Sequence, residues 1–182
     1  MIKRLRFFLK EFAEEARGSV SVEAAIILPV LFWAYVAMIV FFDAYKSRSM
    51  SEKAAFTISD MLSREVTAID LNYLTSAHNL FDILAKSQSA TGLRVTVVSY
   101  SDTTKTYTMQ WSQTRGLLSA YSQADLNGVV ARLPKMADGE TLILVETKSV
   151  YNPPLNVGLG DLDIETFIFT RPRFAPQLVW QV

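Results

Sequence analysis

The segment ARGSVSVEAAIILPVLFWAYVAMIVFFDAYKSRS, residues 16–49, contains the longest apolar run of the chain. Its uncharged core runs for 19 residues from Ala24 to Phe42. At about 1.5 Å per residue such a helix is ~28 Å long, close to the ~30 Å hydrocarbon thickness of a bilayer. A removable secretory signal would be shorter and would end in small residues, whereas this run ends in FFDAYKSRS. The sequence therefore predicts one transmembrane helix over residues 19–43.

The predicted membrane helix lies between basic flanks. Before it stand Lys3, Arg4, Arg6, Lys10 and Arg17, and after it come Lys46, Arg48 and Lys53. Basic residues are enriched on the cytoplasmic side of membrane helices. We therefore expect a cytoplasmic N-terminus and place residues 44–182 outside the cytoplasm, in the periplasm if the cell is Gram-negative.

Residues 1–18 form a basic leader with its own pattern. Its apolar residues recur at spacings of three and four, as on one face of a helix: Ile2, Leu5, Leu9, Phe12 and Ala16. The lysines and arginines lie largely off this face, as expected of an amphipathic helix on an anionic leaflet. A simple cytoplasmic tail is the alternative.

Composition excludes several classes of function. The 182 residues suit one domain with a real core, and the formal net charge is zero. Because no global basic field exists, nucleic acid is not an expected partner. The chain has no cysteine, which rules out disulfides, thiol catalysis and cysteine–zinc sites.

A single carboxylate, Glu23, stands at the entrance to the apolar run. A carboxylate beside hydrocarbon is costly unless a cation pairs with it. Glu23 is the fifth residue counted from Ser19, and Gly18 comes directly before Ser19. A glycine allows the locally extended backbone that a protease needs. Taken alone, Glu23 is better explained as an interfacial residue that the dipole at a helix N-terminus favours.

Together, the basic leader, the segment GSVSVE and the apolar run resemble the processing site of type IV prepilins. With RGSVSVEAAIILPVLFW near its start, and YNPPLNVG and FIFTRPRFAPQLVW near its end, the chain resembles the TadE/TadG-like family. That family comprises pseudopilins of tight-adherence (Flp, type IVb) pilus systems. The resemblance covers both ends of the chain, and the middle rests on secondary-structure pattern.

The resemblance implies that a prepilin peptidase cuts between Gly18 and Ser19 and methylates the new N-terminus. It also implies that Glu23 is the carboxylate recognised in processing and used in assembly, where it could pair with the Ser19 ammonium of its own or a neighbouring subunit. The implied partners are this peptidase, other pilins and pseudopilins, inner-membrane components of pilus assembly and the lipid bilayer. The implied location is the bacterial inner membrane. Ala24 departs from the type IVb pattern, in which an aromatic residue often follows the Glu, and this argues for a minor subunit.

Helical periodicity continues beyond the membrane helix. A stripe through residues 51–65 extends it into a helical spine and comprises Ala54, Ile58, Met61 and Leu62. Pro29, inside the apolar run, predicts a kink or local unwinding. A second helix, with Asp70 as N-cap and SATG at 89–92 as its end, has the stripe Leu74, Ala77, Phe81 and Leu84.

The remainder predicts mainly strands. LRVTVVSY (93–100) and TYTMQWS (106–112) form a hairpin around SDTTK. The second strand should bury one face through Tyr107, Met109 and Trp111. A short helix around 123–132 follows, with the stripe Leu126, Val129, Val130 and Leu133. TLILVETKSVY (141–151) should be central and pair with DIETFIFT, which ends at Thr170. The predicted fold is α+β and pilin-like: a transmembrane helix, a helical spine and a small antiparallel-sheet head.

Catalytic and metal sites are not predicted. The single histidine, His78, lies four residues before Asp82 on one helix face, but no nucleophile turn completes a triad. The acidic residues of DLDIE are Asp161, Asp163 and Glu165, which lack the loop ligands and glycine of an EF-hand. A solvated strand start is favoured there. Gly158 and Gly160 lack the third glycine of a dinucleotide fingerprint. We therefore expect no enzyme, no metal, no cofactor and no small-molecule substrate.

Two regions of the predicted head are candidates for a partner surface. Arg171 and Arg173 form a patch too narrow for phosphate binding and are expected to serve in packing or subunit contact. The other region is an apolar loop, for which an ordinary tucked hairpin loop is equally compatible. Its apolar residues are Pro153, Pro154, Leu155, Val157 and Leu159.

Two functions stay open at this point. The first is a minor pilin or pseudopilin that is cleaved after Gly18 and takes part in priming or assembling a tight-adherence pilus. The second is an uncleaved single-pass receptor or anchor whose extracytoplasmic domain binds a ligand or a protein. Leader removal separates the two, because a receptor would keep its N-terminus.

Overall fold

The structure is a computed structural model that describes residues 16–181. The stripe predicted for the leader from Ile2 to Phe12 lies outside these residues. The described chain is α+β, as expected. Its elements are α1 (Ala16–Ser63), α2 (Leu71–Ala85), β1 (Thr91–Ser101), β2 (Thr106–Gly116), α3 (Gln123–Val129), a 3-10 turn (Val130–Arg132), β3 (Thr141–Tyr151) and β4 (Leu162–Thr170).

Two compact units divide the described chain. The first holds α1 up to Asp43 together with the loop Pro154–Gly158. The second holds Ala44–Pro153 and the chain from Leu159 onward, and it contains the sheet. We call this second unit the head.

Helix α1 is one helix of 48 residues, which confirms the predicted continuation past the apolar run. From Ala44 onward one face of it is buried, and most of the residues on that face are small: Ala44, Ser51, Ala54, Ala55, Ile58, Ser59 and Leu62. Their spacings of three and four define one side of a helix. The Ser51 hydroxyl shares a hydrogen bond of 3.0 Å with the Ser149 hydroxyl of β3, so this side faces the sheet.

Helix α2 begins as predicted and ends earlier than predicted. Asp70 is its N-cap, and the carboxylate accepts a hydrogen bond of 2.8 Å from the Tyr73 backbone N–H. The helix stops at Ala85 because Lys86 adopts a left-handed conformation with φ of 50°. The predicted end at residues 89–92 was therefore wrong, since Thr91 and Gly92 already belong to β1.

The four strands form one antiparallel sheet in the order β2-β1-β3-β4. The predicted β1–β2 hairpin, the central place of β3 and its pairing with β4 are all confirmed. Both faces of the sheet are covered, which explains why β1 and β3 are mostly buried along their length. One face packs against α1 and α2, with Ile58, Leu62, Phe81, Val95, Val97 and Val145 in the shared core. The other packs against α3, with Val98, Leu126, Met136, Leu142 and Leu144.

A β-bulge corrects the prediction for β2. The register shifts between Val97, which pairs with Trp111, and Val98, which pairs with Met109. The extra residue, Gln110, reverses the alternation of side chains along the strand. Trp111 therefore packs on the face of α1 and α2, while Met109 packs on the face of α3. The single buried face predicted for β2 was wrong.

The segment Arg171–Gln181, here called the C-terminal strap, closes the core under the turn between α1 and α2. Ile69 and Trp180 form an isolated parallel bridge. The indole N–H of Trp111 donates a hydrogen bond of 2.9 Å to the carbonyl of Leu178, which is itself buried. The rings of Trp111 and Trp180 lie 5.5 Å apart. The strap is therefore part of the packed head.

We expect Phe81→Ala to destabilise the head strongly, because Phe81 is fully buried in the core beneath both helices. Loss of a buried phenylalanine typically costs about 3–5 kcal/mol. Chemical unfolding followed by circular dichroism in detergent measures the free energy. Ile83→Ala is the matched control on the same helix, because that side chain is 71% exposed and should change stability by about 0.5 kcal/mol or less. Equal losses for both variants would contradict this core.

Candidate functional site

The predicted cleavage site lies within α1. The described part of the helix begins at Ala16, so the peptide bond between Gly18 and Ser19 has helical backbone. A glycine within a helix costs about 1 kcal/mol relative to alanine. Cutting here would require this turn to unwind, and Gly18 lowers the cost of unwinding.

Glu23 lies one turn further along, about 6 Å of helical rise past Ser19. Its side chain is exposed. Among the described side chains, none forms a hydrogen bond or an ion pair with its carboxylate. The carboxylate is thus presented outward directly before the uncharged run of α1.

An unbroken apolar surface follows Glu23. One helix of the described chain is long and apolar enough to cross a membrane, and only 11% of its most apolar window is buried within the protein. The exposed large side chains include Ile26, Leu28, Leu31, Phe32, Trp33, Met38, Phe41 and Phe42. Exposing such a large apolar surface to water is energetically unfavourable. We therefore expect lipid or other apolar helices to cover it.

Pro29 lies within this surface, and α1 is continuous through it. The helix is not interrupted at Pro29, so the predicted local unwinding was wrong. Proline cannot donate a backbone hydrogen bond, so the carbonyl one turn earlier loses its partner. A bend at Pro29 stays a prediction.

The predicted apolar loop has residues in both compact units: Pro154–Gly158 belong to the first unit, and Pro153 and Leu159 belong to the head. Leu159 packs in the head against Ala44 and Tyr151. Val157 is buried, whereas Leu155 is 55% exposed. The loop thus holds both a tucked residue and an outward one.

Arg171 and Arg173 are both engaged within the head. Arg171 forms an ion pair of 2.6 Å with Glu140, and Arg173 one of 3.0 Å with Asp60 of α1. A cleft of about 370 Å³ lies beside them and is lined by Pro134, Leu142, Phe169, Thr170, Arg171, Pro172 and Arg173. The two arginines serve intramolecular packing, and their predicted contact with another subunit stays a prediction.

Most of the residues considered as catalytic or metal candidates form contacts within the head. His78 Nε2 lies 2.8 Å from Thr91 Oγ1, and the same hydroxyl donates to Asp82, so the three side chains tie α2 to the start of β1. Asp163 and Glu165 both accept hydrogen bonds from Lys148, whose pKa they raise. No group of three or more potential metal ligands occurs among residues 16–181.

One polar cluster was missed by sequence reasoning. Arg94 of β1 and Glu146 of β3 are direct cross-strand neighbours and form a two-pronged ion pair of 2.7 and 2.8 Å. Both side chains are about nine-tenths buried, with 12% and 10% exposed. The guanidinium stacks 3.6 Å from the ring centre of Tyr121, and the Tyr121 hydroxyl donates to Glu146.

The electrostatics of this cluster follow from burial and contact. Burial by itself lowers the pKa of Arg94, but its hydrogen bond and charge contact with Glu146 raise it above its usual value. Burial, together with the hydrogen bond to Glu146, raises the pKa of Tyr121 to about 12. The cluster therefore holds the loop after β2 against the sheet. The available signal in the sequence was a charged residue inside each of two mostly buried strands, Arg94 in β1 and Glu146 in β3.

Comparison with protein-family models, with curated proteins and with solved structures found no match. Any function must therefore be argued from the residues and contacts described above.

We expect Glu146→Ala to cost about 3 kcal/mol, because it leaves the buried guanidinium of Arg94 without its counter-charge. Adding Arg94→Met should recover most of this loss, since no uncompensated charge then remains. Glu52→Ala is the matched control, because its pair with Arg48 is exposed and worth at most about 1 kcal/mol. Unfolding free energies of the four proteins test this, and a double variant as unstable as Glu146→Ala would contradict it.

Proposed function

We propose that this chain is a pseudopilin-like subunit that takes part in assembling or priming a tight-adherence pilus at the bacterial inner membrane. The observation that carries the proposal is one continuous helix with an outward Glu23, unpaired among the described side chains, at the start of an exposed apolar surface. A simple anchor needs the apolar surface but has no use for the carboxylate.

Three features support this proposal. The apolar part of α1 is long enough to lie in a bilayer and is free to pack against neighbouring helices. Glu23 stands one turn from Ser19, so a free amine at Ser19 would be a close cationic partner. The helix continues into an α+β head, which would lie outside the cytoplasm and supply contacts with other subunits.

In this proposal a prepilin peptidase removes residues 1–18 by cutting between Gly18 and Ser19. The Ser19 ammonium then pairs with Glu23 of the same or a neighbouring subunit. Because a displaced register would leave a carboxylate unpaired in an apolar surrounding, the pairing selects one axial position between helices. The proposed partners are the peptidase, other pilins or pseudopilins, the membrane assembly components and lipid.

We expect the intact mass of the membrane-extracted protein to fall by residues 1–18 when an active prepilin peptidase is co-expressed. Gly18→Leu should keep the full-length mass, because a bulky side chain stabilises the helical turn at the scissile bond and fills the space that a glycine leaves. An inactive peptidase serves as control. A full-length mass beside a peptidase that processes a known substrate would instead favour the uncleaved receptor or anchor.

We expect Glu23→Ala to reduce surface piliation strongly in a strain lacking the native gene, while membrane anchoring and head folding stay unchanged. Glu23→Gln should fail similarly, because the pairing needs the negative charge. Glu52→Ala, which removes another exposed carboxylate of α1, is the matched control and should support piliation. Full piliation with Glu23→Ala would refute the assembly role of this carboxylate.

A further inference from the structure

Two residues within the uncharged run are buried although their neighbours are exposed. Val40 is 1% exposed and Ala37 is 8% exposed, whereas Phe41 and Phe42 are 54% and 70% exposed. The loop Pro154–Gly158 shares the compact unit of this helix, and its own Val157 is only 8% exposed. Among the described residues of this unit, the loop is the segment outside α1, and it can cover Ala37 and Val40.

The positions of Ala37 and Val40 along the apolar run indicate how deep the loop would lie in a bilayer. Val40 lies two residues, and Ala37 five residues, before the end of the uncharged run at Phe42. At about 1.5 Å per residue, these positions are ~3 and ~8 Å inside the end of the run. A segment that covers them lies at the level where a bilayer meets water, if the run occupies the bilayer.

The composition of the loop suits that level. From Pro153 to Gly160 the sequence PPLNVGLG carries no charge. Leu155 is outward and 55% exposed. The turn satisfies part of its own backbone, because the Asn156 side chain accepts a hydrogen bond of 3.2 Å from the Gly158 N–H. Where water is scarce, backbone N–H groups must form hydrogen bonds within the protein.

We propose that the loop Pro154–Gly158 rests in the outer membrane–water interface and inserts Leu155 among the lipids, as a second membrane contact beside α1. This inference shares with the proposed function only the membrane-spanning helix, and it holds whether or not the leader is removed. Lipid is favoured over a protein partner because the loop shares its compact unit with the apolar run, which is long enough to lie in a bilayer.

The proposal can be tested by site-specific labelling. Because the sequence contains no cysteine, an introduced cysteine is the sole labelling site. Leu155→Cys and Pro154→Cys in the full chain are labelled with an environment-sensitive fluorophore and reconstituted into vesicles of phosphatidylethanolamine and phosphatidylglycerol. Phe32→Cys, within the apolar surface, is the lipid-exposed reference, and Thr103→Cys, in the exposed β1–β2 turn, is the water-exposed reference.

We expect the labels at 155 and 154 to emit at shorter wavelength than the label at 103 and to lose intensity when lipids carry a nitroxide near the headgroup. A label at 155 that behaves like the one at 103 overturns the proposal. A shifted emission without quenching by lipid also overturns it and indicates a protein cover. An unquenched label at 32 would refute the membrane span itself, whereas cleavage is read separately from mass.

Discussion

Close contact between the small-residue face of α1 and the sheet is the interaction on which the rest of the head depends. Alanine and serine lose little side-chain entropy on burial and let a helix approach a sheet closely. Ala54, Ala55 and Ile58 share one core with Phe81 of α2 and with the inner strands. The C-terminal strap joins the same core through Leu178. Removing α1 would therefore uncover α2, the sheet and the strap together.

Local pattern predicted most of the elements, because helices and strands carry their periodicity in neighbouring residues. The spine, the N-cap Asp70, the hairpin and the β3–β4 pair all follow from it. The bulge at Gln110 was missed because it depends on the register between two strands, and one extra residue reverses every later side chain. The Arg94–Glu146 pair was missed because its partners lie 52 residues apart and meet only through that register.

Several charged side chains of the head form ion pairs, whereas Glu23 near the start of α1 forms none with the described side chains. In the head, Arg94 is paired with Glu146 and Arg173 with Asp60. Lys148 likewise has two acidic partners. Glu23 has none among the described side chains, although its surroundings would be the most apolar of all. Unlike an exposed charge in water, a carboxylate in apolar surroundings needs a cationic partner, and the natural partner for Glu23 is a cation outside the described fold.

Under the proposed function, cleavage itself creates that cation. Before cutting, Ser19 contributes a neutral amide to α1, and Glu23 has no nearby positive charge on its own helix turn. After cutting, the same position carries an ammonium one helical turn from the carboxylate, close enough to pair with it. An uncut chain would bring an uncompensated charge into any helix bundle, at a cost of about 2.5–3.5 kcal/mol if fully inserted. Processing would thus act as the condition for assembly, because only a processed chain presents both halves of the pair.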